Sequence, residues 1–193
     1  MDKAAYHHGD LKKALIDNGL LLLNKEGIEG FSLRKVASMC GVSHTAPYKH
    51  FKDKDELIGE IIDEIWNQFY LVLRKAIELY PEQPELQVVE MGKEYVNFMV
   101  ENPEYLKLLF LSDSTSYLVR IEEDRLNAYK NSAFKVFKDT VENYFKEIKL
   151  SKELYMQKTL TMWSMVHGFA LLISKNIIHY DGEYLALVEN MIK

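Results

Sequence analysis

Residues 27–57 contain two short helical patterns joined at Gly41, followed by a loop and the start of a longer helix. Ser32 is placed to cap the first short helix, and Ser43 is placed to cap the second. Two short helices joined by a tight glycine turn are typical of a helix-turn-helix, which lays its second helix in the major groove of DNA. This stretch therefore predicts a front domain of three helices that binds double-stranded DNA.

The rest of the chain also has a helical period. Apolar side chains recur every three or four residues over 9–26, 53–79, 85–101, 104–111, 118–148 and 152–179, and a short helix ends the chain. Asp53 and Glu56 form a capping-box pattern at the start of the second of these segments. Because no segment shows sustained strand alternation, we predict an all-α fold of about nine helices. A helix-turn-helix domain would occupy residues 1–52, and a larger helical bundle residues 53–193.

The composition excludes several classes of protein. Of the 193 residues, 48% are apolar, which indicates a globular chain. The single cysteine, Cys40, allows no intrachain disulfide and no cysteine metal cluster, so we expect a cytoplasmic location, no metal and no cofactor. No apolar run approaches the roughly 18 residues that span a bilayer, so we expect no membrane partner. We find no nucleophile–base pair and no glycine loop for a phosphate, and therefore expect no enzymatic activity.

The charge is distributed unevenly along the chain. The net charge is −5, but residues 1–60 hold nine basic and nine acidic side chains, so the excess acid lies in residues 61–193. A neutral DNA-reading region predicts modest affinity for each subunit, because phosphate neutralisation supplies most non-specific affinity. Two linked copies raise the effective concentration at a second half-site, so we expect a homodimer.

The side chains around the predicted second helix suit DNA. Arg34 can reach guanine bidentately, His44 and Lys49 supply donors to purine edges, and the small Ala46 allows a close approach to thymine methyl groups. Hydroxyl, imidazole and ammonium groups elsewhere in the motif suit phosphate oxygens, which fix register rather than sequence. The predicted DNA contacts are Ser32, Arg34, Ser43, His44, Thr45, Ala46, Tyr48, Lys49, His50 and Lys54. Phe51 is expected in the core, and the residues leave open whether Tyr48 joins it there.

The positions that carry this motif resemble a known family. Gly27, Phe31-Ser32, Val36-Ala37, Gly41-Val42-Ser43, Tyr48-Lys49-His50-Phe51, Lys54 and Leu57 closely resemble the N-terminal domain of TetR/AcrR-type transcriptional regulators. The resemblance covers about residues 6–60 and implies an Ω-shaped homodimeric repressor whose C-terminal domain binds a small molecule. Position 47 departs from the family, in which it is usually aliphatic. With Ser43 as the cap, Pro47 is the fourth helical residue, and we expect the start of the helix to be slightly re-aimed.

Aromatic residues and methionines are frequent in the rear part of the chain and suit a pocket for a hydrophobic or planar compound. The alternative is that they only fill the core. Tyr95, Tyr117 and Trp163 are the stronger candidates, because their polar tips can orient a ligand. The predicted ligand contacts are Trp66, Phe69, Tyr70, Tyr95, Phe98, Met99, Tyr117, Met162 and Trp163.

A second pattern, Trp163-x-x-x-His167-Gly168, resembles one C-terminal subclass of the same regulators. Trp163 and His167 are four residues apart and share a helix face, and Gly168 permits another helix to approach. By this resemblance the dimer interface includes Val166, His167, Gly168 and Phe169. No partner at metal-ligand spacing accompanies His167, so we expect a packed or hydrogen-bonded imidazole.

These features predict a repressor that binds a pseudo-palindromic operator as a dimer and is released by a hydrophobic or aromatic effector. Two alternatives remain open. The chain can be an activator or a DNA-binding protein without an effector, or it can be a helical small-molecule-binding protein or enzyme that retains the front motif.

Overall fold

Eight α-helices dominate the structure, a computed structural model that describes residues 8–110, 119–122, 125–128 and 132–193. They are α1 (His8–Gly30), α2 (Leu33–Met39), α3 (Lys54–Leu79), α4 (Pro84–Glu101), α5 (Pro103–Phe110), α6 (Ser132–Glu147), α7 (Tyr155–Ser174) and α8 (Tyr184–Ile192). Between α5 and α6 lies an antiparallel hairpin of β1 (Val119–Glu122) and β2 (Arg125–Ala128). Short 3-10 helices span Ala46–Lys49 and Lys152–Leu154. The predicted all-α class is confirmed.

The chain divides into two compact units, Met1–Ile65 and Trp66–Lys193. The division falls inside α3, so one continuous helix contributes its first part to the front unit and the rest to the rear unit. The domain boundary predicted from sequence, between residues 52 and 53, corresponds to the beginning of the same helix.

The core of the front unit is built from α1, α2 and the first part of α3. Leu15 and Leu22 of α1, Val36 of α2 and Ile61 of α3 are almost completely buried. Gly19 lets α1 pass close to α3, since a Cβ at that position would lie 2.7 Å from the Cδ1 atom of Ile61. The helix predicted over residues 9–26 is confirmed, because α1 is broken at Gly27, whose φ is 67°.

The rear unit is organised around α4, which packs against α6, α7 and α8. Val96 and Met99 of α4 and Leu106 of α5 have no exposed surface. The Tyr184 hydroxyl of α8 donates a hydrogen bond of 2.9 Å to the Asn97 side-chain oxygen, which fixes the last helix against α4. This arrangement buries one face of each surrounding helix and leaves the other faces outward.

The predicted helix over residues 118–148 is wrong in its first part. Residues 119–122 and 125–128 form the β-hairpin, and the helix begins only at Ser132. Val119 and Ile121 alternate with Arg120 and Glu122, which is the period of a strand and not of a helix. The described residues therefore contain eight α-helices and one hairpin where about nine helices were expected.

The cap predicted for α3 is confirmed in part. The Asp53 carboxylate accepts the Glu56 N–H at 2.9 Å, as expected for an N-cap. The Glu56 carboxylate accepts the N–H of Lys52 rather than that of Asp53, so it reaches one residue further back than in a capping box. Both contacts fix the loop that leads from the helix-turn-helix into the long helix.

Two glycines of the front unit provide a matched test of backbone strain. A Cβ at Gly41 or at Gly59 would meet no atom within 4 Å, but only Gly41 has a positive φ, of 69°. Gly41→Ala is therefore expected to lower the free energy of unfolding by about 1 kcal/mol, because left-handed backbone strains an L side chain. Gly59→Ala, inside α3, is expected to raise it by about 0.5–1 kcal/mol. Urea unfolding of both variants measures the difference, and a shift of the same sign in both would contradict the strain at Gly41.

Candidate nucleic-acid interface and aromatic cavity

The turn between the two short helices is closed by backbone hydrogen bonds. Ser32 caps α2 as predicted, with its Oγ accepting the Lys35 N–H at 3.3 Å. At the other end of α2, the N–H of Val42 donates to the Ala37 carbonyl at 3.0 Å, and Gly41 takes the left-handed conformation between them. The chain is thereby reversed within a few residues and presents the segment after Gly41 to solvent.

The second helix of the motif is shorter than predicted. It is a 3-10 helix over Ala46–Lys49 with Thr45 as its N-cap, so Ser43 does not cap it and instead shares a hydrogen bond of 3.1 Å with the Thr45 hydroxyl. Pro47 lies in the first turn, where a missing N–H costs no helical bond. The Pro47 carbonyl accepts the N–H groups of both His50 and Phe51 at 2.9 Å. Proline thus starts this helix two residues later than the sequence suggested.

Seven of the ten predicted DNA contacts lie in the loop and 3-10 helix that follow α2, whereas Ser32 and Arg34 belong to the start of α2 and Lys54 to the start of α3. Arg34, Ser43, His44, Thr45, Tyr48 and Lys49 are exposed, and Ser32, Ala46, His50 and Lys54 are half-buried. Tyr48 is 61% exposed and therefore lies outside the core, whereas Phe51 is 2% exposed and lies in the core as predicted. The front unit therefore combines a buried apolar interior with a polar, partly basic edge.

Ser38, which the sequence did not single out, connects two of these residues. Its hydroxyl donates to the Arg34 carbonyl at 3.0 Å, so its oxygen is left to accept a hydrogen bond from His44 Nε2 at 3.4 Å. This places the His44 proton on Nε2 and leaves Nδ1 as its free acceptor when the ring is neutral. Ser38 is four residues from Arg34 and six from His44, and this spacing alone does not predict a contact. The contact depends on how the turn folds.

Two residues assigned to phosphates are partly engaged within the protein. The Lys54 ammonium donates to the Ile28 carbonyl at 3.0 Å and lies 5.9 Å from the centre of the Phe31 ring, which ties the start of α3 to the end of α1. His50 Nε2 is buried and has no hydrogen-bond partner among the described residues. A phosphate contact from these side chains therefore depends on the two remaining Lys54 N–H groups and on His50 Nδ1.

The rear unit contains an aromatic cavity. Its wall is formed by Trp66, Phe69, Leu73, Tyr95, Phe110, Ala133, Phe134, Phe137 and Trp163. Four of the predicted ligand residues are in this wall, namely Trp66, Phe69, Tyr95 and Trp163. The structure does not place Tyr70, Phe98, Met99 or Met162 in it, and Tyr117 lies outside the described residues. Sequence reasoning missed Phe110, Phe134 and Phe137 because an aromatic ring in a helical stripe looks the same whether it faces a cavity or the core.

The rings of the wall contact one another closely. Trp66 packs edge-on against Phe110 with centroids 5.5 Å apart, Phe69 packs edge-on against Tyr95 at 5.0 Å, and Trp163 lies 4.9 Å from Phe134. The empty volume is about 280 Å³ including the open mouth, but the centre of a water molecule can occupy only about 10 Å³ of it. In this conformation the cavity therefore holds about one water molecule.

A hydrogen-bonded chain of three side chains adjoins the cavity. Trp163 Nε1 donates to the Tyr95 hydroxyl oxygen at 3.2 Å, and the same hydroxyl lies 2.9 Å from His167 Nδ1. Burial raises the pKa of Tyr95, and burial lowers the pKa of His167, so both groups are neutral near neutral pH. Trp163 and His167, four residues apart on α7, thus converge on one residue of α4.

The residues predicted for a dimer interface lie mostly inside their own chain. Val166 is 3% exposed and Phe169 is 8% exposed, and His167 packs 4.7 Å from the Phe110 ring. Val166 and Phe169 therefore have little surface left for a second copy, whereas His167 is half-buried, and the dimer role of these residues stays a prediction. Gly168 differs, since a Cβ at its position would meet no atom within 4 Å.

The burial of His167 predicts a dependence of stability on pH. Its folded pKa lies below the usual 6.5, so below that value the unfolded chain binds a proton that the folded chain does not, and stability falls as the pH falls. We expect His167→Gln to lose less stability than the wild type between neutral pH and about pH 5. Thermal unfolding at several pH values measures this. His179→Gln is the control, because His179 is 89% exposed; equal pH profiles for all three proteins would contradict the assignment.

None of the helices within residues 8–110 and 132–193 combines the length and the apolar run that a bilayer crossing requires. The same described residues contain no group of three or more His, Cys, Asp or Glu side chains arranged to hold a metal ion.

Two family models match the chain. Residues 15–61 match the model for bacterial regulatory proteins of the tetR family, and residues 88–193 match the model described as the tetracyclin repressor-like C-terminal domain. The first match covers the helix-turn-helix, and the second covers α4 to α8 with most of the cavity wall. Neither match bears on the Trp-x-x-x-His-Gly pattern, whose subclass stays a prediction.

Curated relatives are similar to this chain in sequence, and solved structures share its fold. The nucleoid occlusion factor SlmA of Yersinia enterocolitica is 24% identical over 166 residues, 84% of this chain and 74% of that protein. The uncharacterized HTH-type transcriptional regulator YerO of Bacillus subtilis is 22% identical over 183 residues, 89% of this chain and 57% of that protein. A structure of a protein of unknown function from Rhodococcus sp. RHA1 aligns with a TM-score of 0.78 at 22% identity, covering 98% of this chain and 94% of that one. A TetR/AcrR-family transcriptional regulator from Thermobifida fusca aligns with a TM-score of 0.64 at 14% identity, covering 95% and 96%.

Proposed function

The chain belongs to the TetR family of DNA-binding transcription regulators, and from this premise we propose that it is a repressor whose operator binding is released by a small molecule. Two copies would bind a pseudo-palindromic operator, one half-site each, and an effector in the rear unit would favour the state that does not fit the operator. The observation that carries the proposal is the exposed segment after Gly41, which presents polar side chains to solvent and rests on a buried apolar interior.

The residues of that segment support base reading at its edge and phosphate binding around it. Arg34 and Lys49 have exposed donors, and the hydrogen bond to Ser38 restricts how the His44 ring can move. A restricted side chain loses less entropy on binding, which favours specific contact over a loose charge interaction.

The last two helices support a symmetric dimer. The second half of α7, from Met165 to Ile173, is almost entirely apolar, and a helix of that kind is normally covered on more than one face. Half-buried Met165 and Leu172 of α7 and the 44% exposed Met191 of α8 leave apolar surface outside the chain's own core. Open space beside Gly168 allows a second helix to approach there. A two-fold contact through these helices would place two symmetry-related DNA-binding units on the operator.

The continuity of α3 supports communication between effector and DNA. Trp66 and Phe69 in the cavity wall belong to the same helix as Lys54 and Leu57 of the front unit. Because the cavity holds about one water molecule, a larger molecule enters only when wall side chains move. An effector then shifts the population towards the state with the wider cavity by as much as it binds that state more tightly.

Loss of base contacts is the direct test of this function. With an operator selected from random-sequence DNA by the wild-type protein, Arg34→Ala and Lys49→Ala are each expected to weaken binding by about 1–3 kcal/mol in gel-shift or anisotropy assays. Lys75→Ala is the control, since Lys75 is an exposed lysine of α3 in the rear unit. Unchanged operator binding by both variants would contradict the proposed reading face.

Lys54 provides a separate test of the phosphate contacts. Lys54→Ala is expected to weaken binding about equally for selected and random DNA, and to reduce the slope of log affinity against log salt by roughly one. Thermal unfolding accompanies the assay, because the substitution also removes the bond to the Ile28 carbonyl. A loss of preference at a single base position, with an unchanged salt slope, would contradict the phosphate role.

A DNA-binding protein without an effector is the second candidate, and the small free volume of the cavity favours it. The two candidates differ in a compound screen that follows both melting temperature and operator release. An effector-dependent repressor yields at least one compound that raises the melting temperature and releases the operator, whereas the alternative yields none.

A further inference from the structure

The cavity wall restricts the chemical class of its ligand. We infer that the cavity of the rear unit takes a neutral, flat aromatic molecule that carries a hydroxyl group, in other words a phenol-like compound. The inference rests on the proposed function, because it names the effector class for the same cavity, and it is carried by the shape, charge and hydrogen bonding of the wall.

The shape of the wall suits a planar ring. Seven of its nine residues are aromatic, and they come from four helices, α3, α4, α6 and α7, and from the end of α5. Trp66, Phe69 and Phe134 already make tilted or edge-on ring contacts at centroid distances of 4.9–6.1 Å with their neighbours. A flat aromatic ligand can form the same tilted and edge-on contacts with these rings, whereas a flexible alkyl chain has no ring with which to form them.

The charge of the wall excludes ionic ligands. None of its nine residues is Asp, Glu, Lys or Arg. A carboxylate or an ammonium in this place would leave water without a counter-ion, which is strongly unfavourable in an apolar site. The ligand is therefore neutral when bound.

The direction of the hydrogen bonds at Tyr95 specifies the polar group. An indole N–H only donates, so the Tyr95 oxygen accepts from Trp163. The Tyr95 proton is satisfied when it is donated to His167 Nδ1, which accepts in the neutral tautomer whose ring proton is on Nε2; burial, which lowers the pKa of His167, keeps the ring neutral. In this arrangement the Tyr95 hydroxyl oxygen has one lone pair left, and its proton is already donated. A ligand group that binds this oxygen must therefore donate a hydrogen bond to it.

A ligand hydroxyl is the simplest group that meets this requirement, because it can donate to the Tyr95 oxygen. An ether or a ketone has no proton to donate, which leaves the Tyr95 lone pair unused.

The chain carries its own reporter for this cavity. Trp66 and Trp163 are its two tryptophans, and both line the wall. Any ligand that enters must move wall side chains, since the free space is that of about one water molecule. A change in tryptophan emission therefore reports binding at the side chains that form this cavity.

Three matched probes test the inference on the full chain at neutral pH. Isothermal calorimetry is run with β-naphthol, with its methyl ether and with β-naphthoate, and tryptophan emission confirms the place of binding. We expect β-naphthol to bind with a change in emission, the ether to bind about tenfold more weakly because one hydrogen bond is lost, and β-naphthoate not to bind. Equal affinity for the ether, binding of β-naphthoate, or no binding of β-naphthol would each overturn the inference.

A pair of tyrosine variants assigns the selectivity to one oxygen. Tyr95→Phe is expected to reduce the tenfold preference for β-naphthol over its ether to about one, because the acceptor is gone. Tyr70→Phe should keep the preference, since Tyr70 lies on α3 outside the wall. If Tyr95→Phe does not fold, the probe series on the wild type still decides. A preference that persists in folded Tyr95→Phe overturns the assignment.

Failure of the inference is separable from failure of the proposed function. If other compounds release the operator but β-naphthol does not bind, the effector class is wrong and the repressor function stands. If β-naphthol binds with the expected selectivity but neither it nor any screened compound alters operator affinity, the ligand class stands and the proposed release does not.

Discussion

The apolar stripe of α3 is the constraint on which the rest of the structure depends. Leu57, Ile61 and Ile65 are buried in the front unit, and Phe69 and Leu73 continue the same stripe in the rear unit. Burial of each such side chain contributes about 1.5–3 kcal/mol, so neither unit can release this helix without losing a large part of its stability. The rest of the front unit is therefore arranged on a helix that also forms part of the cavity wall.

Exposure of the segment after Gly41 depends on this packing rather than on helix propensity. The 3-10 helix Ala46–Lys49 is too short to be stable alone. It is held by buried Pro47 and Phe51 on its inner side, which frees Tyr48 and Lys49 to face solvent. Pro47 is thus an anchor as well as a helix start, and the same residue that shortens the helix fixes its outer side chains.

The sequence predicted most of the helical framework because its signals are local. Ser32, Asp53 and Gly27 act on neighbouring backbone groups, so their positions in the chain are sufficient to place helix ends. The hairpin was missed because Val119, Ile121 and Leu126 form a stripe too short to exclude a helix. The cavity was found only in part, because membership of its wall is decided by which helices meet. Phe134 and Phe137 became wall residues through the position of α6, and Val166 became core through the position of α7, neither of which is encoded near those residues.

The hydrogen-bonded chain from Trp163 to His167 shows why that distinction matters for function. Tyr95 is 2% exposed, and a buried hydroxyl needs partners to offset its loss of water. Trp163 and His167 supply them from one face of α7, so the pair fixes the rotation of α7 against α4 as well as the polarity of the cavity. A ligand that adds a hydrogen bond to Tyr95 binds the same oxygen that fixes the rotation of α7 against α4. Helix α7 also carries Gly168 on an open face. Through Trp163 and His167, α7 therefore links the Tyr95 oxygen to the face that carries Gly168.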